Sequence, residues 1–184
     1  MTTEISFAEH AYAKVKEAIL RCASPVASDV YAISFFIENL DDDPRKPTLI
    51  LGYNTHTYWR KSIAHASSAD EAKWNFAFWP QTCEAFVGNT DDAQCREMWI
   101  KRLGSWCADQ DDDGGEITRQ FMELAVEIAK RLHDEGIILQ KFTRVVPILI
   151  HEQEYYLDIA RLTERANPPD SSREFSNWIE SLYT

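Results

Sequence analysis

Residues 30–54 read VYAISFFIENLDDDPRKPTLILGYN. Two apolar runs, Val30–Ile37 and Thr48–Tyr53, flank a charged connection that holds two prolines. That pattern predicts two neighbouring antiparallel strands joined by a solvated loop. In the first run Tyr31, Ile33, Phe35 and Ile37 alternate with Ala32, Ser34 and Phe36, so both faces are largely apolar. Such a strand is expected to be central, with cover on both sides. Gly52 inside the second run marks a bulge or a close backbone approach.

Outward from the hairpin, the patterns are mostly helical. Ser6-Phe7-Ala8-Glu9 has the form of a capping box, and the apolar positions that follow share one helical face to about residue 23. Ser68 with Glu71 opens a short helix, and Ser171 with Glu174 another. Ile117, Phe121, Leu124, Ala125, Ile128 and Leu132 define a long amphipathic helix, with Gly136 where a C-terminal glycine cap belongs. Residues 54–66 fit either a short helix or a third strand. Ile137–Leu139 and Val145–Ile150 read as short strands, and Pro147 puts the second at an edge or bulge. Residues 152–166 read as a helix, stopped by Asn167-Pro168-Pro169. Helices at both ends enclosing a few strands predict one α+β domain over residues 1–184. Its small, mainly antiparallel sheet is built on the 30–54 hairpin, under about five or six helices.

The totals exclude several functions. A chain of 184 residues with 45% hydrophobic and 27% charged residues has ordinary globular composition. Its 30 acids against 19 bases give a net charge of −11, which repels phosphate backbones and argues against a nucleic-acid binder. An acidic surface suits a basic protein partner instead. The start has no basic region followed by an apolar one, and no run approaches the ~18 apolar residues of a membrane span, so a cytoplasmic protein without membrane contact is expected. Cys22, Cys83, Cys95 and Cys107 form no metal-ligand spacing and read as reduced thiols. Neither a P-loop, a dinucleotide fingerprint nor a nucleophile elbow is present, and no cofactor is expected.

Three stretches are candidates for chemistry or contact. Asp109-x-Asp111-x-Asp113-Gly114 matches the first half of a calcium loop, but Gln120 stands where the closing glutamate belongs. His151-Glu152 ends a predicted strand, where mixed folds often carry function; with His56 it is the alternative, enzymatic reading. Neighbours in a strand point to opposite faces, which argues against a direct dyad. Trp74, Phe76 and Phe78 alternate, so an extended segment would put three rings on one face. Large rings serve cores and interface hot spots alike. The candidate partner-binding residues are Asp41, Asp42 and Asp43 in the hairpin loop, Asp111 and Asp112, and the anchors Trp59 and Trp79.

Tyr31-Ala-Ile-Ser-Phe-Phe-Ile37, Leu51-Gly-Tyr-Asn-Thr55, Ala69-Asp-Glu-Ala-Lys-Trp-Asn-Phe-Ala-Phe-Trp79, Val146-Pro-Ile-Leu-Ile-His151 and Ala166-Asn-Pro168 together resemble a family of uncharacterised single-domain bacterial proteins. Some members are encoded near polymorphic toxins and are proposed immunity proteins. The resemblance implies a toxin-neutralising binding protein, and electrostatic complementarity to the acidic chain makes a basic toxin the expected partner. It carries no catalytic residues.

Overall fold

The structure is a computed structural model and describes residues 6–88, 92, 96–101 and 115–184. Strands β1 (Val30–Asn39) and β2 (Pro47–Thr55) pair antiparallel from Asn39 opposite Pro47 to Val30 opposite Thr55. Strand β3 (Ala85–Val87) adds antiparallel to β2, and β4 (Ile148–His151) adds parallel to β1. The order β3-β2-β1-β4 makes a mixed sheet with β1 and β2 inside. Of β1's ten residues only Phe36, Glu38 and Asn39 escape full burial, as expected for a central strand.

One face of the sheet packs on α1 (Phe7–Arg21), which the single turn α2 (Ser24–Ala27) joins to β1, and on α5 (Gly115–Asp134) and α6 (Ile137–Phe142). Tyr53 shows this side, with its ring 6.1 Å from Phe142 and its hydroxyl donating to the Ala18 carbonyl at 3.4 Å. The opposite face lies under α3 (His56–Ser62), α4 (Ala69–Trp74), a 3₁₀ turn at Phe76–Phe78, and α8 (Arg173–Ser181). Gly52 permits that contact. A Cβ there would stand 3.3 Å from the Thr82 carbonyl oxygen and 4.0 Å from the Phe76 ring. Ser6 and Ser68 cap their helices through Glu9 N and Glu71 N. Ser172 precedes α8 without a side-chain cap, and Glu174 pairs with Lys73 instead.

Strand β4 is an edge whose outer backbone groups have no neighbouring strand. Helix α7 (Leu157–Ala166) and the residue after it satisfy them with side chains. Thr163 Oγ1 accepts from Ile150 N and donates to Ile150 O, while the Asn167 amide bonds both Ile148 N and Ile148 O. The stop at Asn167 therefore doubles as an edge cover.

Two expectations are corrected and two open alternatives are decided. Ile137–Leu139 is helical, not a strand: Gly136, at φ 71, reverses the chain, and Ile138 and Phe142 then meet the core four residues apart. Residues 56–62 are a helix, because the Thr55 hydroxyl caps it at Tyr58 N. Tyr31 breaks the strand alternation. A register shift between Val30 and Ala32 turns its ring toward Trp59, Trp74 and Trp79. Residues 74–79 are not extended, so their rings separate: Trp74 and Trp79 are buried, while Phe76 stays half-buried.

Candidate functional site

The sheet places two aromatic clusters on the α3–α4 side, one at each end of β1. At the N-terminal end, Tyr31 is ringed by His56, Trp59, Trp74 and Trp79. The Lys73 ammonium sits 4.7 Å from the Trp74 ring, 5.3 Å from Trp59 and 5.9 Å from Tyr31, and pairs with Glu174. The Lys73 carbonyl accepts from the Tyr31 hydroxyl at 2.5 Å and from Trp79 Nε1 at 2.9 Å. This cluster is closed on itself. Trp79 is 2% exposed and is a core residue, not a surface anchor. Trp59 is half-buried, and its Nε1 is committed to the Ala69 carbonyl.

At the C-terminal end, Phe36 pairs with His151 in register. His151 Nε2 lies 2.8 Å from Ser34 Oγ, and its Nδ1 lies 3.0 Å from the Glu152 carbonyl oxygen. That contact identifies Nδ1 as the protonated nitrogen and Nε2 as the acceptor for the Ser34 hydroxyl. Burial pushes the imidazole down to about 4, so the ring is neutral near pH 7. Ser34 and His151 are 0% and 1% exposed. Phe36, Phe76 and Tyr155 close over the imidazole with centroids at 5.4, 5.1 and 5.7 Å. A serine–histidine pair with this geometry resembles a nucleophile and its base, but the rings separate it from solvent. His56 contacts Tyr31, five residues from Phe36 along β1, or about 16 Å at strand rise, so it does not join His151.

Two cavities meet at Glu152. One, of about 250 Å³, is walled by Phe36, Phe76, Tyr155 and Glu152, with the amides of Asn75, Gln81 and Gln153 at its rim. The other, of about 490 Å³, is a groove between α5 and α7 over Met122 and Leu162. Its three arginines already hold carboxylates. Arg119 Nε bonds Glu116 at 2.6 Å, Arg161 bonds Asp158 at 2.9 Å, and Arg165 grips Glu123 with two bonds of 2.9 and 2.6 Å. Arg119 and Gln120 hold the Glu116 carboxyl down to about 2. Glu152 differs. The Tyr156 hydroxyl donates to it, and among the described residues no lysine, arginine or histidine is paired with its carboxylate.

The hairpin corner carries less free charge than the sequence implies. Arg45 binds Asp43 through its backbone N–H at 3.0 Å and its guanidinium at 2.8 and 3.1 Å, which holds the Asp43 carboxyl down to about 2. Lys46 reaches Asp41 at 3.1 Å. Asp41 and Asp42 both adopt left-handed backbone, at φ 58 and 55. The corner is fixed to α5, where Thr118 Oγ1 lies within 3.1 Å of Asn39 Oδ1 and 2.9 Å of the Pro44 carbonyl. Thr118 also lines the groove, so the corner and the groove share a border. Asp109, Asp111, Asp112 and Asp113 lie outside the described residues.

Sequence reasoning singled out His151 and Glu152 but missed Phe36, Phe76, Tyr155 and Gln81 as their company. Nothing local marks them, since they come from a strand, a 3₁₀ turn and two loops. No family model, no curated protein and no solved structure matches the chain.

Proposed function

We propose that this is a binding protein without catalytic activity that docks a basic protein partner. In its finer form it is a cytoplasmic immunity protein that neutralises a toxin, as the family resemblance implies. The observation that supports docking is the charge arrangement around the groove. Each arginine there is offset by its own carboxylate, while among the described residues no cation pairs with Glu152, on a chain of net charge −11. Such a surface attracts cationic groups and speeds encounter with a basic partner. The enzymatic alternative places a site near His151 and Glu152; the pair His151 makes with Ser34 is buried under three rings, which argues against it.

Co-expression with the products of adjacent reading frames tests the immunity form. Rescue of growth from a toxic neighbour is the expected result. No toxic neighbour, or no rescue, removes that form. Docking itself predicts an association rate that falls steeply with added salt. A salt-independent rate with a basic partner refutes the electrostatic basis.

A further inference from the structure

The smaller cavity at the C-terminal end of β1 has a chemistry of its own. Phe36 and Phe76 stack at 5.0 Å with an interplanar angle of 20°, and Tyr155 stacks on His151 at 5.7 Å and 17°. Tyr155 is held in place by Phe76 N, which donates to its hydroxyl oxygen at 2.8 Å. Gln81 Nε2 donates to the carbonyls of Phe76 and Trp79, which fixes the amide at the rim. The wall thus combines aromatic rings, amides and one carboxylate, and among the described residues no lysine or arginine lines it. The imidazole behind the rings is neutral and adds no repulsion toward a cation.

We propose that this pocket binds a methylated ammonium group, with Phe36, Phe76 and Tyr155 as its aromatic wall and Glu152 as its counter-charge. Aromatic faces attract cations through the ring quadrupole, and quaternary ammonium ions are the cations such walls favour. A primary ammonium needs hydrogen-bond acceptors to replace its bound water. A methylated one needs few and gains instead from the ring surface that Phe36, Phe76 and Tyr155 supply. Among the described residues no cation pairs with the Glu152 carboxylate and competes for its charge. The Tyr156 hydroxyl donates to that carboxylate and holds it at the junction of the two cavities. This site does not depend on the protein-docking reading, because a small free cation would fill it with no partner present.

The same group occurs on free choline-type molecules and on methylated lysine side chains, and the experiment separates the two. The purified chain is titrated calorimetrically with choline, with 3,3-dimethylbutan-1-ol, in which carbon replaces the nitrogen, and with a short peptide carrying trimethyllysine. Choline is expected to bind with a dissociation constant in the millimolar range, roughly tenfold tighter than the neutral alcohol. Tighter binding of the peptide than of choline places the group on a protein, and the reverse order places it on a small molecule. Glu152→Gln is expected to weaken choline several-fold. It keeps an acceptor for Tyr156 and breaks no ion pair among the described residues, so an unchanged unfolding midpoint shows that the fold is intact. Phe76→Leu should weaken choline by a similar factor. The glutamine variant decides the matter if the leucine variant does not fold. Equal binding of choline and the alcohol, no binding of either cation, or full affinity in Glu152→Gln overturns the proposal.

Discussion

Replacing His151 by glutamine should remove a definable part of the protein's acid sensitivity. A histidine titrates near 6.5 in an unfolded chain, whereas burial holds His151 down to about 4 in the folded one. Near pH 7 the ring is neutral in the folded state and about three-quarters neutral in the unfolded one. As the pH falls below 6.5, the unfolded state takes up a proton that the folded state refuses, so stability falls. The loss is complete near pH 4, where the folded state also protonates. With these two values the linkage relation gives about 3 kcal/mol in full, and about 2 kcal/mol between pH 7 and pH 5. Urea unfolding of the parent and of His151→Gln at the two pH values provides the assay. The variant will be less stable at pH 7, because it loses the ring contacts with Phe36, Phe76 and Tyr155. That offset cancels, because only the change with pH is compared. His56 and His133, which burial also lowers, contribute to both proteins alike. The parent should lose about 2 kcal/mol more than the variant. Equal losses would refute the reasoning and show that the imidazole is hydrated or already charged in the folded protein.

Trp79→Ala should cost about 3–5 kcal/mol in chemical unfolding, as for a core aromatic, and an unchanged midpoint would contradict its burial. Gly88→Ala should destabilise by about 1–3 kcal/mol, since φ is +90° and a Cβ would stand 2.9 Å from the Pro47 carbonyl oxygen. A neutral result there would mean that the turn relaxes. Lys73→Met keeps the apolar stem but removes the charge over Trp74, Trp59 and Tyr31; a loss of about 1–2 kcal/mol in thermal unfolding is expected, and no loss would show that the ammonium adds nothing to this cluster.

The sequence by itself determined the hairpin, its central position, the caps at Ser6 and Ser68, the long helix with Gly136 at its end, and the choice of an edge or a bulge at Pro147. These features rest on periodicity and on single residues with strong backbone preferences, both of which are local. Only the tertiary structure decided the rest. Ile137–Leu139 is too short for its period to tell a strand from a helix, and the core chose the helix. Trp79 and Trp59 read alike as anchors, because the same ring serves a core or an interface. The acidic corner looked like a free negative patch, until Arg45 and Lys46 from the same loop folded back on Asp43 and Asp41. The junction at Glu152 was legible only as a residue beside a strand end. What gives it a character is the company of Phe36, Phe76 and Tyr155, separated along the chain by up to about 120 residues. Rings so far apart meet because β4 pairs with β1 in one register and Gly52 lets the 3₁₀ turn approach the sheet. Neither event leaves a pattern in the order of the residues.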